Sequence, residues 1–445
     1  MAHLRTRFRS LAALSVFALA GTVQADMGLV TMLELAEESK VTFVGTVTAV
    51  GKDAATVAVG EVLAGKLQRG AVSVTPIHIQ HCTGSSLRLT VAEAVLIFGK
   101  VNEAGQVVIA AHGQGKIRLE PARRQETIQA AKRLLAIAPL QEREKNKAML
   151  ALIRSPNRRL STESRYYIGS KISHSKIRDE YNDDLVSLIQ ADDPVIQATG
   201  LQGMEFVKAP EAIPRMVELT RSKDIEVVRA ASMALGKYDT PESTAALIAL
   251  TKHKEFELVS RACIDLDTSR RPEAKEALKK LLYHQDPKIR AMALRGLVMW
   301  LRHDKADDVL PRLVEMLDDP DLRVRTAAAD SLGETRNSAA VPPLLAVLRE
   351  DPQGKDMKRL LVQSLSRHYS YSDAKARELI DQEIELIIAA LKSGDPRNSF
   401  GPAFRAVRIL RLSPKAAARD ALKWAAESHP NEEIKAYAKR SLPKP

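Results

Sequence analysis

The residues best suited to chemistry in this 445-residue chain lie close together in the segment His78-Ile79-Gln80-His81-Cys82, with His112 further on. Side chains alternate between the two faces of a strand, so His78 and Cys82 share a face. They would offer nitrogen and sulfur, ligands suited to copper or zinc. His81 points the other way, and the same alternation separates it from Cys82 and works against a thiolate activated by its neighbour. Histidines on a solvated strand end beside a small buried cysteine account for the segment more simply. His78, Cys82 and His112 therefore stand as candidate ligands only, and no metal or other cofactor is expected.

Other catalytic signatures are missing or broken. Neither Gly-x-Ser-x-Gly nor His-Glu-x-x-His occurs. Gly60 and Gly65-Lys66 have the spacing of a phosphate-binding loop, but Leu67 stands where the magnesium-binding hydroxyl belongs. The first half of that stretch reads as strand, which makes Gly65 a hairpin turn. Gly113-Gln114-Gly115 lacks a third glycine three residues on and reads as a turn. The only cysteines are Cys82 and Cys263; a bridge between them would lock the two halves of the chain together, and otherwise each is a buried thiol.

Three segments would position these residues. In residues 1–25, Arg5, Arg7 and Arg9 precede a run from Leu11 to Ala20 that is apolar except at Ser15, and Val23-Gln24-Ala25 closes it. This is the order of a cleavable signal peptide, and about ten apolar residues fall short of the ~20 that span a bilayer. Cleavage after Ala25 is expected, with the protein in the periplasm or secreted. Thr22 follows Leu19-Ala20-Gly21 where a lipoprotein would carry cysteine.

Residues 26–120 read as a β-domain. Val41, Phe43 and Val47 fall on one face of a strand and Thr42, Thr46 and Thr48 on the other. Similar runs cover 56–63, 71–79, 94–101 and 106–111, with Pro76 at a switch of apolar face that suggests a bulge or an edge. Five short strands separated by glycines suggest a small barrel. The strings VTFVGTVTAVG, VGEVLAGKLQRG and AVLIFGKV resemble the OB-type, netrin-like domains related to tissue inhibitors of metalloproteinases. Those inhibitors chelate metal through an N-terminal cysteine; the expected mature terminus here is Asp26, so inhibition is not implied.

From residue 121 to 445 the apolar period is helical. Asp193, Asp224, Glu255 and Asp286 stand 31 residues apart, and Asp319 and Asp351 follow at 33 and 32. A fixed period of this size means a solenoid. The segments around Arg229, Arg261, Arg290 and Arg325 resemble HEAT repeats: Pro311 in a first helix, Asp319-Pro320 at the turn, Arg325 in a second helix. Pro214 and Pro343 occupy comparable places. The turn aspartates are expected to cap second helices, and Asp and Arg of successive repeats to pair in a ladder. Spacing stretches between Ser370 and Ser393. Two enzyme families share such repeats, deoxyhypusine hydroxylases and phycobilin lyases; the first needs His-Glu dipeptides, which are absent, and the second would not need an export signal. The expected fold is thus mainly α, a HEAT-like solenoid behind a five-stranded, OB-type barrel.

The net charge is +12, and the solenoid carries the excess. Its expected second helices hold 23 basic and 8 acidic residues. In HEAT-type solenoids these helices line the concave face, which makes Arg295, Arg302, Lys358, Arg405, Arg408 and Arg411 candidate binding residues. Arg229, Arg290 and Arg325 are assigned to packing between repeats. Outside the cytoplasm an acidic protein suits such a face better than nucleic acid, and aromatics, 4% of the chain, are sparse for base stacking. The expected function is that of an exported, non-catalytic scaffold; the alternative is a metal- or thiol-dependent enzyme, or a protease inhibitor, centred on the β-domain. Nothing in the sequence sets the oligomeric state.

Overall fold

A computed structural model describes residues 31–51, 54–67, 70–75, 89–110, 116–172, 175, 178–303, 307–350, 355–393 and 401–442. Two compact units divide between Ala209 and Pro210. The expected signal peptide, Pro76, His78, His81, Cys82, His112 and Asp351 lie outside the described residues.

The described part of the first unit opens with α1 (Met32–Glu38), a helix ahead of the first expected strand. Its start is a capping box: Thr31 accepts from the Glu34 amide while the Glu34 carboxylate accepts from the Thr31 amide. Strands β1 (Val41–Val50), β2 (Ala55–Ala64), β3 (Ala71–Thr75), β4 (Ala94–Val101) and β5 (Val107–Ile109) follow, with a sixth, β6 (Lys116–Arg118). Pairing runs β1-β2-β3-β5-β4 and returns from β4 to β1, so five strands close a barrel and leave no free edge; β6 joins β4 beside β5. The β3–β5 pair is parallel and the others are antiparallel.

Phe43, Val47, Val57, Val74, Val95, Ile97 and Val107 fill the interior. The opposite faces of β1 and β4 are also covered, because Val44, Leu96 and Phe98 share a second core with Met32 and Leu35 of α1. Ile128 and Leu134 of α2 (Arg124–Ile137) complete it. Thr42, expected on a polar face, is accordingly buried. Gly65 is a turn glycine at φ +78°, and Gly60 sits inside β2, so the stretch is a hairpin and not a phosphate loop. Helices α3 (Glu142–Ala151), α4 (Arg158–Ser170), α5 (Asn182–Ile189) and α6 (Pro194–Met204) complete the unit.

The second unit is a succession of helix pairs: α7 (Ile213–Leu219) with α8 (Ile225–Leu235), α9 (Pro241–Leu250) with α10 (Phe256–Asp267), and α11 (Pro272–Leu281) with α12 (Pro287–Gly296). Short α13 (Val298–His303) precedes α14 (Leu310–Glu315) with α15 (Leu322–Leu332), then α16 (Val341–Arg349) with α17 (Lys355–Tyr371). Two helices, α18 (Ala374–Gln382) and α19 (Ile384–Lys392), precede α20 (Pro402–Leu410), which is why the spacing stretches there. The unit ends with α21 (Ala416–Ser428) and α22 (Glu432–Ser441). The second helices α8, α10, α12, α15, α17, α20 and α22 each pack on the next and form one layer. Pro214, Pro311 and Pro343 all lie in first turns, where a missing N–H costs nothing.

Among the described residues no helix is long and apolar enough to cross a membrane.

Candidate functional site

A repeated turn places the second-helix layer. Asp224, Asp286 and Asn431 cap α8, α12 and α22, each accepting the amide two residues on at 2.8–3.0 Å. Glu255 occupies the same position before α10 without a side-chain cap. The residue two before each cap also contributes: Ser222 Oγ and the Nδ1 atoms of His253, His284 and His429 accept the cap residue's own N–H at 3.0–3.1 Å. Asp319 belongs to this outer position. It accepts from the Asp321 amide at 2.9 Å, and Asp321 is the cap of α15. The expectation that Asp319 caps the helix is corrected: acid type matched, but the register is two residues later.

Asp319 is instead bound by the preceding repeat. Arg290 Nε and one terminal nitrogen donate to its two carboxylate oxygens at 2.9 and 2.8 Å, while another donates to the carbonyls of His284 and Gln285. Burial would raise the Asp319 pKa, but the hydrogen bond from Arg290 holds it below the usual carboxylate value. At Arg229, Arg261 and Arg325 the contacts are local instead. Arg229 pairs with Glu226 of its own helix, Arg261 with Asp265, and Arg325 donates to the carbonyls of Asp319 and Pro320.

A second set of ions crosses between repeats at the far ends of these helices. Arg302 Nε donates to Glu334 at 2.7 Å, and Arg367 meets Asp330 at 2.6 Å and Glu334 at 3.2 Å. Arg302, proposed as a binding residue facing solvent, is therefore committed to an inter-repeat pair, which takes up its charge. Asp267 accepts from the Met299 amide at 2.8 Å, and burial pushes its pKa up to about 6, against the lowering effects of that bond and of Arg302. A carboxylate raised from 3.8 to about 6 binds more protons folded than unfolded, so its contribution to stability falls as pH rises through that window. Asp267→Asn keeps an acceptor for Met299 without the charge. Its melting temperature should exceed that of the parent by a margin that grows from pH 4 to 6 and then levels; a margin flat with pH would refute this assignment.

The remaining candidates lie along the layer. Arg295 on α12 is exposed and Lys358 on α17 half-buried. Arg408 donates to Tyr371 Oη at 2.8 Å and stacks over its ring at 5.5 Å; Arg411, just past α20, is exposed. Arg405 lies 5.7 Å from the Phe404 ring, Phe404 stacks on Tyr437 at 4.7 Å, and the Arg405 Nε is shielded from solvent without an acceptor. Burial first, then the charges of Arg359, Arg367 and Arg408, hold the Arg405 pKa below its ordinary value. Arg359, Arg367, Tyr371, Phe404 and Tyr437 were not singled out from the sequence. Three aromatics, Tyr371, Phe404 and Tyr437, lie beside these basic residues.

His368 and Cys263 are buried. His368 is buried between the Leu332 carbonyl and Ser372, with its pKa lowered by burial. Cys263 is a free thiol inside α10, and burial pushes it to about 12, far from a thiolate at neutral pH. Among the described residues no three His, Cys, Asp or Glu side chains gather as metal ligands. In the first unit a cleft of about 240 Å³ lies beside α1 and α4. Its carboxylates are engaged: Glu34 with Lys171, Glu37 with Lys145, Glu142 with Ser175, and Glu163 with the Met32 amide.

Residues 182–267 and 274–366 match the family model for HEAT repeats. The fold is a HEAT-like solenoid with an N-terminal closed five-stranded barrel. Among solved structures, yeast importin-beta (Kap95p) is similar at 16% identity and a TM-score of 0.52, over 71% of this chain and 48% of that one. Kap121p bound to Pho4p is similar at 11% identity and a TM-score of 0.51, over 71% of this chain and 40% of that one. This chain spans less than half the length of either, and at such identities the likeness is one of fold. No curated protein matches it.

Proposed function

We propose that this chain is an exported, non-catalytic scaffold whose second-helix layer holds an acidic protein partner. The observation that carries the reading is unmatched positive charge: α12 and α20 contain no acidic residue, Arg295 and Arg411 are exposed, and Arg405 touches no carboxylate among the described residues. Kap121p, a solenoid of the same fold, is described with a protein bound, which supports a protein as occupant. The barrel supplies a second contact, and export rests on residues 1–25.

Photocrosslinking in cells from Arg295 and Arg411, with captured proteins identified by mass spectrometry, tests the reading. Crosslinks to acidic proteins of the cell envelope are expected, with a mature N-terminus at Asp26. Binding should weaken steeply with salt, since screening shortens from about 8 Å at physiological ionic strength to about 3 Å at 1 M. Crosslinks to cytoplasmic proteins on a chain retaining Met1, or affinity indifferent to salt, would sink it. The competing metal-enzyme reading rests on His78, Cys82 and His112. One zinc or copper per purified chain, lost in Cys82→Ala, would replace the scaffold reading with that one; no stoichiometric metal is expected.

A further inference from the structure

The basic layer is uneven. Three of its cations are matched by carboxylates of neighbouring repeats, Arg290 by Asp319, Arg302 by Glu334 and Arg367 by Asp330. On α20, Arg405 and Arg408 have no such match among the described residues. Arg405 has cationic neighbours, Arg359, Arg367 and Arg408, and no carboxylate in contact among the described residues. Its Nε is out of solvent with nothing to donate to. Among the described residues Arg408 is held by the hydroxyl and ring of Tyr371. Phe404 and Tyr437 stack beside Arg405 and wall the cluster with apolar surface.

A guanidinium nitrogen withdrawn from water with no acceptor, beside like charges, costs stability unless an acceptor completes it. Rigid forks of donors fit planar carboxylates two bonds at a time, and the rings beside them fit an apolar side chain. We propose that Arg405 and Arg408, framed by Tyr371, Phe404 and Tyr437, form the anchor of the basic layer and take an acidic peptide segment in which Asp or Glu alternates with apolar residues. This rests on the scaffold reading above and narrows it to one place.

The test uses the full mature chain and a fluorescent twelve-residue peptide alternating Glu with Leu, followed by anisotropy. Arg405→Gln and Arg408→Gln should each weaken binding at least tenfold, while Lys423→Gln, at an exposed position on the first helix α21 and outside the layer, should change it less than twofold. Arg405→Gln should melt no lower than the parent, because the charge it removes is unmatched. Equal, small losses for all three variants would leave the scaffold reading standing and overturn the anchor. No peptide binding at any salt would overturn both. Displacement of the peptide by millimolar inorganic phosphate would also overturn the proposal, by showing a bare oxyanion site. If Arg405→Gln unfolds, Arg405 is a packing residue and the anchor falls with it.

Discussion

Replacing Arg290 with alanine should cost about 3 kcal/mol of stability, near the lower end of what breaking a buried ion pair costs. The two partners are 14% and 7% exposed, and the removed guanidinium binds both oxygens of Asp319 as well as the carbonyls of His284 and Gln285. The loss is large because a carboxylate stays behind in a place that no longer matches it. Its sign with pH follows. In the parent, Asp319 is held below its ordinary value, so its contribution is full above about pH 4 and lost as pH falls further. Without Arg290 burial dominates, and the proton binds at higher pH. The deficit of the variant should therefore be greatest at pH 7 and shrink towards pH 3. Adding Asp319→Asn to Arg290→Ala should recover part of the loss at pH 7. Urea melts at both pH values measure this, and a deficit below 1 kcal/mol, or one unchanged with pH, would show that the pair is incidental to the repeat.

That pair also shows what the sequence could and could not disclose. The repeat was legible because each unit spends an acid and a small-residue helix every 31 to 33 positions, and the barrel because Val41, Phe43 and Val47 alternate cleanly. Asp319 was assigned to the wrong role because it and Asp321 are both acids; only the hydrogen bonds separate a cap from the residue that holds the cap. Helix α1 carried a readable signal in Thr31 and Glu34, the two ends of its capping box, but its seven residues were taken with the β-domain and given no helix of their own. Strand β6, three residues long, is too short to show a period. In the candidate site, the positive excess of the second helices is a matter of composition and was visible. Which cations are spent was not, since Arg302 and Arg367 find Glu334 and Asp330 at separations of 32 to 37 residues, through packing that linear order does not display.

The same close packing makes Gly333→Ala a severe substitution despite its conservative look. Gly333 closes α15 at φ −65° and ψ −16°, a conformation alanine adopts freely, so backbone strain plays no part. Helix propensity alone would favour alanine by up to about 1 kcal/mol. Packing decides otherwise. A Cβ there would stand 2.6 Å from the Ser364 Cβ and 2.8 Å from its Cα, on the facing second helix α17. These atoms cannot swing aside as a side-chain tip could, so α15 and α17 must part. Ser364 Oγ, which donates to the buried Ala329 carbonyl at 2.6 Å, would be drawn off its acceptor. Overpacking of this kind costs roughly 1–3 kcal/mol, and a buried hydrogen bond about 1 more, so a net loss of about 1–3 kcal/mol is expected after the full propensity gain. Gly169→Ala is the control: its Cβ would meet nothing within 4 Å, and it should stabilise by up to about 1 kcal/mol. Should Gly333→Ala melt at or above the parent while Gly169→Ala behaves as expected, the second helices are not packed closely enough to need glycine, and the layer that carries the candidate site is looser than the contacts between α15 and α17 imply.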